Sequence, residues 1–264
     1  TLGLEATWHE DGSLRTRVVD PSRTRAPYEL VKTMRASICV LGPLLGRRGR
    51  AEVSFPGGCV IGPRPVDLHL TGLEALGARI RVEGGYIRAE AGASAPAARE
   101  VYLGGPFGPT VTGTANVLSA AVLTPGTTLI QSAACEPEVV DLARFLVSMG
   151  ARIEGIGSPT LTVEGVERLE GGSWRVIPDR IEAGTLLCAA AMTRGAVTVQ
   201  GVVPSHLTAP LAVLSRMGVQ VRRRGQDALH VLANDRPQPV DVVTLPYPGF
   251  PTDLQAQFMA LLSV

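Results

Sequence analysis

The sequence predicts an α/β fold assembled from repeated helix–strand subdomains, on three observations. A glycine ends a helical pattern and opens a strand at Gly77, Gly150 and Gly218, within residues 73–80, 145–153 and 213–221. Gly3 is the remnant of an earlier copy, so the period is about 70 residues. Apolar helical segments at 34–45, 116–123 and 184–192 each meet a glycine turn, at Gly49, Gly126 and Gly195. A β-branched or alternating run follows each turn, at 51–55, 127–130 and 196–199. Hydrophobic residues make up 45% of the chain and aromatics only 4%, so Leu, Val, Ile and Ala must build the core. The period is too long for the usual solenoids and indicates small α/β subdomains packed around one another.

Each element has a local cause. A left-handed C-cap explains the glycine after each helix. The helix at 34–45 gives way to the strand at 51–55, and an amphipathic segment starts near Val66 behind a glycine- and proline-rich loop. Strands follow at 79 onward and at 86–89; residues 91–109 read as irregular. Glu136-Pro137 reads as a helix start with Asp141 in its body, and both stay outside the site. Another short strand is expected at 160–163. Gly171-Gly172-Ser173 is a linker candidate, and Asp179 is placed to N-cap a helix beginning around Arg180. Residues 234–240 form an exposed connector. Residues 254–264 open a further unit with an apolar helical pattern, while Thr1 precedes a capping glycine with no helix ahead of it. A helix cut short leaves its carbonyls and apolar face without partners, so the sequence is expected to be the middle of a longer protein.

At 264 residues the chain suffices for one large domain or two ordinary ones. A formal charge of +1 gives no long-range reason to expect nucleic acid or an anionic membrane as partner. The basic clusters 47–50 and 222–224 read as solvated faces. Four cysteines show no CxxC pair, no zinc-type spacing and no disulfide framework, which indicates a reducing compartment. Cys39 and Cys188 lie in apolar helical patterns and read as core. No apolar run reaches membrane-spanning length and no signal peptide opens the sequence, so the cytoplasm is expected. No metal or other cofactor is expected.

The chemistry concentrates in Pro56-Gly57-Gly58-Cys59-Val60-Ile61-Gly62-Pro63-Arg64-Pro65-Val66-Asp67-Leu68-His69. Glycines admit close backbone approach to a ligand, and a neighbouring cation lowers a thiol's pKa toward a reactive range. Alternatively, Cys59 is a small buried hydrophobe in a turn. Asp67 and His69 also fit as ordinary first-turn residues. Arg35, on an otherwise apolar helix, fits a core-edge ion pair, and Asp253 fits a helix N-cap.

Together with Met34-Arg35-Ala36-Ser37-Ile38, Glu136-Pro137-Glu138-Val139-Val140-Asp141, residues 178–185 and Phe250-Pro251-Thr252-Asp253-Leu254-Gln255-Ala256-Gln257, this loop resembles the UDP-N-acetylglucosamine 1-carboxyvinyltransferase family, also called UDP-N-acetylglucosamine enolpyruvyl transferases. The matching segments run in order through nearly the whole chain. The resemblance implies two domains of repeated βαβαββ units facing each other across a cleft, the inside-out barrel of the enolpyruvyl transferases. Residues 1–177 would be the cysteine-loop and nucleotide-sugar domain without its N-terminal part, and 178–264 part of the second domain. The implied reaction moves the enolpyruvyl group of phosphoenolpyruvate onto the 3′-hydroxyl of UDP-N-acetylglucosamine and releases phosphate, the first committed step toward peptidoglycan. No metal is required.

By that resemblance Cys59 delivers the proton to the methylene carbon, forms a covalent adduct with phosphoenolpyruvate and is the site alkylated by fosfomycin. Asp253 matches the carboxylate that contacts the attacking hydroxyl. Arg35 and Arg64 match ligand-facing arginines, whose guanidinium groups suit phosphate. Arg64, Pro65, Val66, Asp67 and Leu68 match the uridine-binding stretch, and Thr110 and Val111 a second nucleotide-contacting stretch more loosely. Cys135 stands where the family more often has arginine. The family's early Lys-Asn pair and its later arginines fall outside this sequence, which implies little turnover by this segment alone. Rival readings are a non-catalytic nucleotide-sugar-binding repeat protein, a cysteine phosphatase and the sister enolpyruvylshikimate-phosphate synthase. The sister enzyme shares the fold and chemistry but lacks a catalytic Cys59 loop. Only four residues separate Cys59 from Arg64, and Pro63 lacks an N–H, which fits a phosphatase loop poorly.

Overall fold

A computed structural model describes residues 2–57, 65–92 and 98–264. By its internal contacts the chain forms two units, Thr1–Ala134 with Leu142–Gly172, and Cys135–Asp141 with Ser173–Val264.

The first unit opens with a hairpin of β1 (Leu4–Trp8) and β2 (Leu14–Val18), followed by β3 (Arg25–Ala26) and a single helical turn, α1 (Tyr28–Val31). The helix expected over 34–45 divides in two: a 3-10 segment, Arg35–Val40, runs into α2 (Leu41–Arg48). Pro43 is the cause. Its ring clashes with the carbonyl four residues back and it donates no hydrogen bond, so an α-helix begins at Leu41 but does not run through from Arg35. Then come β4 (Arg50–Ser54), α3 (Asp67–Ala75), β5 (Arg79–Glu83) and β6 (Tyr86–Glu90). Next are β7 (Ala98–Tyr102), the short strands β8 (Gly104–Gly105) and β9 (Gly108–Pro109), and α4 (Val111–Ala121). The unit's last strands are β10 (Thr127–Gln131), β11 (Arg152–Glu154) and β12 (Thr160–Glu164), with α5 (Pro137–Ser148) between β10 and β11.

Strand β7 corrects the expectation that residues 91–109 are irregular. It pairs in parallel with β10, and its alternation Arg99, Val101 inward against Ala98, Glu100, Tyr102 outward is that of a half-buried strand. With it in place, the two four-stranded sheets share one plan. Their orders are β3-β4-β6-β5 and β7-β10-β12-β11, each with one parallel pair followed by two antiparallel pairs. Both read strand, helix, strand, helix, strand, strand, so the βαβαββ unit occurs twice.

Glycines at 3, 49, 77, 126, 150 and 218 all take left-handed φ, as the cap reading requires. The turn at Gly195 differs, because Arg194 takes the left-handed conformation there, with φ 52°. One face of each sheet is buried, and the helices lie on that face. Helix α4 is buried nearly all round, which marks it as the central helix. Helices α2 and α3 reach it through small residues. A Cβ at Gly42 would stand 2.0 Å from the Asn116 carbonyl oxygen, and one at Gly72 2.5 Å from Val117 Cγ2.

In the second unit, α6 (Arg180–Met192), β13 (Ala196–Gln200), α7 (Thr208–Arg216), β14 (Gln220–Arg224) and β15 (Ala228–Leu232) repeat the later part of that plan, with antiparallel order β13-β15-β14. Asp179 caps α6 as expected, accepting from the backbone N–H groups of Ile181 and Glu182 at 2.7 and 3.2 Å. A 3-10 turn, Thr252–Leu254, leads into α8 (Gln255–Leu262). The unit has its own apolar cluster, with Leu187, Leu214, Leu229, Leu254 and Phe258 fully enclosed.

Candidate functional site

Asn116, fully buried on α4, organises the first unit's candidate residues. Its Oδ1 accepts the Gly42 N–H at 2.6 Å, and its Nδ2 donates to the Ile38 carbonyl at 2.9 Å. The same amide nitrogen lies 3.0 Å from Nδ1 of His69. An amide nitrogen only donates, so His69 Nδ1 accepts and the ring proton resides on Nε2, which donates to Thr112 Oγ1 at 3.2 Å. Burial is the main reason, and the Arg35 charge the second, that the His69 pKa is pushed down to about 4; Asp67 pulls weakly the other way. The imidazole is therefore a neutral bridge between α3 and α4.

This network fixes the starts of three elements to one another. Arg35, half-buried at the head of the 3-10 segment, donates from Nη2 to the Pro65 carbonyl at 3.3 Å. Val66 is buried at the N-cap of α3, and its carbonyl accepts the His69 and Leu70 N–H groups. Thr110 caps α4, its hydroxyl accepting from the Gly113 N–H at 3.2 Å. Arg35, Pro65, Val66, Asp67, Leu68, Thr110 and Val111 are thus brought together, with Pro65, Asp67 and Val111 exposed. Ahead of the first intrahelical bond, the N–H groups of Val111 and Thr112 give this end of α4 a partial positive charge, suited to an anion. Cys59 and Arg64 lie outside the described residues.

Asp253 belongs to the second unit. It does not cap a helix: the N-cap positions are Pro251 for the 3-10 turn and Leu254 for α8, and neither start is closed by a side-chain bond. Its carboxylate is exposed, while Phe250, Leu254 and Phe258 around it are buried, the two rings meeting edge-on at 4.7 Å. An anchored backbone therefore presents an accessible acid.

Glu136, left outside the site by sequence reasoning, is buried before α5, and one of its oxygens has no hydrogen-bond partner. Burial pushes its carboxyl upward, against the Tyr247 backbone and the Arg180 charge. Arg180, itself buried, pairs with Glu138 at 2.9 Å and lies over the Tyr247 ring. The sequence signals for these contacts were the Glu136-Pro137 helix start and the family motifs at 136–141 and 178–185, which hold Glu136, Glu138 and Arg180. Among the described residues no His, Cys, Asp and Glu group is arranged to hold a metal, and no helix is long and apolar enough to cross a membrane.

A family model described as EPSP synthase (3-phosphoshikimate 1-carboxyvinyltransferase) matches residues 1–264. The chain belongs to the EPSP synthase family. Within that family it is 51% identical, over 263 residues, to a protein of Hydrogenovibrio crunogenus named UDP-N-acetylglucosamine 1-carboxyvinyltransferase; the match covers 99% of this chain and 61% of the relative. A Xylella fastidiosa protein of the same name is 51% identical over 269 residues, covering 98% and 62%. The chain thus spans about three fifths of the length of these curated relatives. Among solved structures, the enolpyruvyl transferase NikO from Streptomyces tendae superposes with a TM-score of 0.79 at 24% identity, over 99% of this chain and 62% of that one. EPSP synthase from Acinetobacter baumannii gives 0.62 at 17%, over 98% and 59%. These likenesses show the enolpyruvyl transferase fold, the architecture that the family resemblance implies.

Proposed function

We propose that this chain belongs to an enzyme that transfers the enolpyruvyl group of phosphoenolpyruvate to the 3′-hydroxyl of UDP-N-acetylglucosamine with release of phosphate, at the entry to peptidoglycan synthesis. The observation that carries this reading is the 51% identity, over nearly the whole chain, to two relatives named for that activity. The geometry supports it: two nucleotide-contacting stretches and an arginine meet at one buried network.

In this reading residues 1–177 are the nucleotide-sugar domain and 178–264 part of the second domain. Pro65, Val66, Asp67 and Leu68 line the uridine, joined by Thr110 and Val111, while Arg35 and Arg64 face the anionic groups. Asp253 takes the proton of the sugar hydroxyl as its oxygen bonds to the central carbon of phosphoenolpyruvate. Cys59 gives a proton to the methylene carbon; loss of phosphate and of a methyl proton then regenerates the double bond. Fosfomycin would alkylate Cys59, and the enzyme would work in the cytoplasm, serving cell shape and division through the wall.

The test is phosphate release from phosphoenolpyruvate with UDP-N-acetylglucosamine in the full-length protein, with Cys59→Ala and Asp253→Ala alongside. Both variants should retain the nucleotide sugar and lose release. Nucleotide binding without release in any form would identify a binding protein, and release without the sugar nucleotide a phosphatase. Fosfomycin adducts should appear on Cys59 and spare Cys188, whose thiol burial pushes up to about 12.

A further inference from the structure

Phe107, at the tip of the β8–β9 hairpin, is 95% exposed, the most exposed large apolar side chain among the described residues. The backbone beneath it is closely held. Gly104 faces Pro109 and Gly105 faces Gly108 in the ladder. The hairpin's stem is tied by the Leu103 N–H to the Gln131 carbonyl at 3.0 Å and by the Thr110 N–H to the Leu103 carbonyl at 3.2 Å. Leu103 itself is fully buried.

The glycines show how tightly the turn is seated. A Cβ at Gly104 would lie 2.3 Å from the Tyr102 hydroxyl and 2.9 Å from Ser132 Oγ, and one at Gly105 3.3 Å from Leu68 Cδ1. Gly108 takes a φ of +106°, which only glycine adopts readily. Pro106 and Pro109 stiffen both flanks. The result is an aromatic ring in water on a preorganised stalk that runs beside Leu68 and leads directly into Thr110. Those residues belong to the two stretches assigned above to the nucleotide. Burying an apolar side chain is favourable, so leaving this one uncovered beside a ligand site is best explained by a flat ligand group that covers it.

We propose that Phe107 is the stacking platform for the pyrimidine ring of the nucleotide-sugar substrate. The inference rests on the proposed function and adds to it a substrate-binding residue. A π-face tolerates any flat base, so Phe107 supplies affinity for the ring, and the backbone of the Pro65–Leu68 stretch supplies its identity. The diphosphate and the sugar do not need Phe107.

Equilibrium titration of the full-length protein with UDP-N-acetylglucosamine, uridine diphosphate and N-acetylglucosamine 1-phosphate tests this. Phe107→Ala should weaken both uridine ligands alike, by about ten-fold (about 1.4 kcal/mol), and leave the sugar phosphate unchanged. Phe107→Leu should fail as Phe107→Ala does, since it is apolar without a π-face, whereas Phe107→Trp should hold affinity. The added indole of Phe107→Trp, read as a difference from the wild type, should lose emission on saturation with uridine diphosphate. Because the side chain is exposed, all three variants should melt with the wild type. Uridine affinities within two-fold of wild type in both Phe107→Ala and Phe107→Leu overturn the stacking role and leave the proposed function standing. A full-length wild-type protein that binds neither uridine ligand overturns both.

Discussion

His69 and Asn116 have no feature in the sequence that joins them, since they stand 47 residues apart. His69 fits equally well as an ordinary first-turn residue of α3. Folding makes it a buried acceptor, with a pKa pushed from 6.5 down to about 4. The unfolded imidazole takes its proton near pH 6.5 and the folded one only near 4, so acid favours unfolding throughout that window. About 3 kcal/mol of stability should disappear between those pH values, and His69→Gln should flatten that part of the profile in chemical denaturation. Asn116→Leu leaves the Gly42 N–H, the Ile38 carbonyl and His69 Nδ1 without their partner. It should cost about 3–5 kcal/mol, since each buried group left unpaired costs about 1–3. Glu136 has the opposite sign. Its folded carboxyl holds a proton to higher pH than the unfolded one, so it costs stability as pH rises through the folded value. Glu136→Gln should therefore melt above the wild type at pH 8 and level with it at pH 4; equal melting at both would refute the burial argument.

At the scale of elements, the helix starts and stops were legible because their causes are local. Asp179 caps α6, Gly77, Gly150 and Gly218 take left-handed caps, and the alternating runs are strands. Where local signals compete, the sequence was ambiguous. Pro43 splits one expected helix, and β7 is hidden behind the alanine-rich sequence 91–97 until β10 pairs with it. Helix approach is a matter of space, which no periodicity reports. Gly42→Ala would drive a methyl group into the α4 backbone and should cost about 3 kcal/mol or more, because neither backbone can yield cheaply. Gly171→Ala, with nothing within 4 Å, is the matched control and should change stability by under about 0.5 kcal/mol. Similar melting temperatures for the two variants would show that α2 does not need that contact.

For the whole molecule, each unit carries its own apolar cluster, with Leu118 enclosed in the first and Phe258 in the second. Calorimetry should therefore separate two cooperative steps. Leu118→Ala is expected to lower one by about 2–5 kcal/mol and Phe258→Ala the other by about 3–5. A single transition moved equally by both would show one cooperative body. A repeated helix–strand plan was readable from the spacing of capping glycines, since a cap is written in one or two residues, while the full βαβαββ unit came from the family resemblance. The family was readable from short motifs in order. The family resemblance also nominated Arg35, the Pro65–Leu68 stretch, Thr110, Val111 and Asp253 as residues to watch. Only tertiary structure decided that three of those elements begin around Asn116, that Asp253 is exposed rather than engaged as a cap, and that Glu136 is buried. Partners far apart in sequence are chosen by packing, and hydrogen bonds inside a core exist only after burial has removed the competing water.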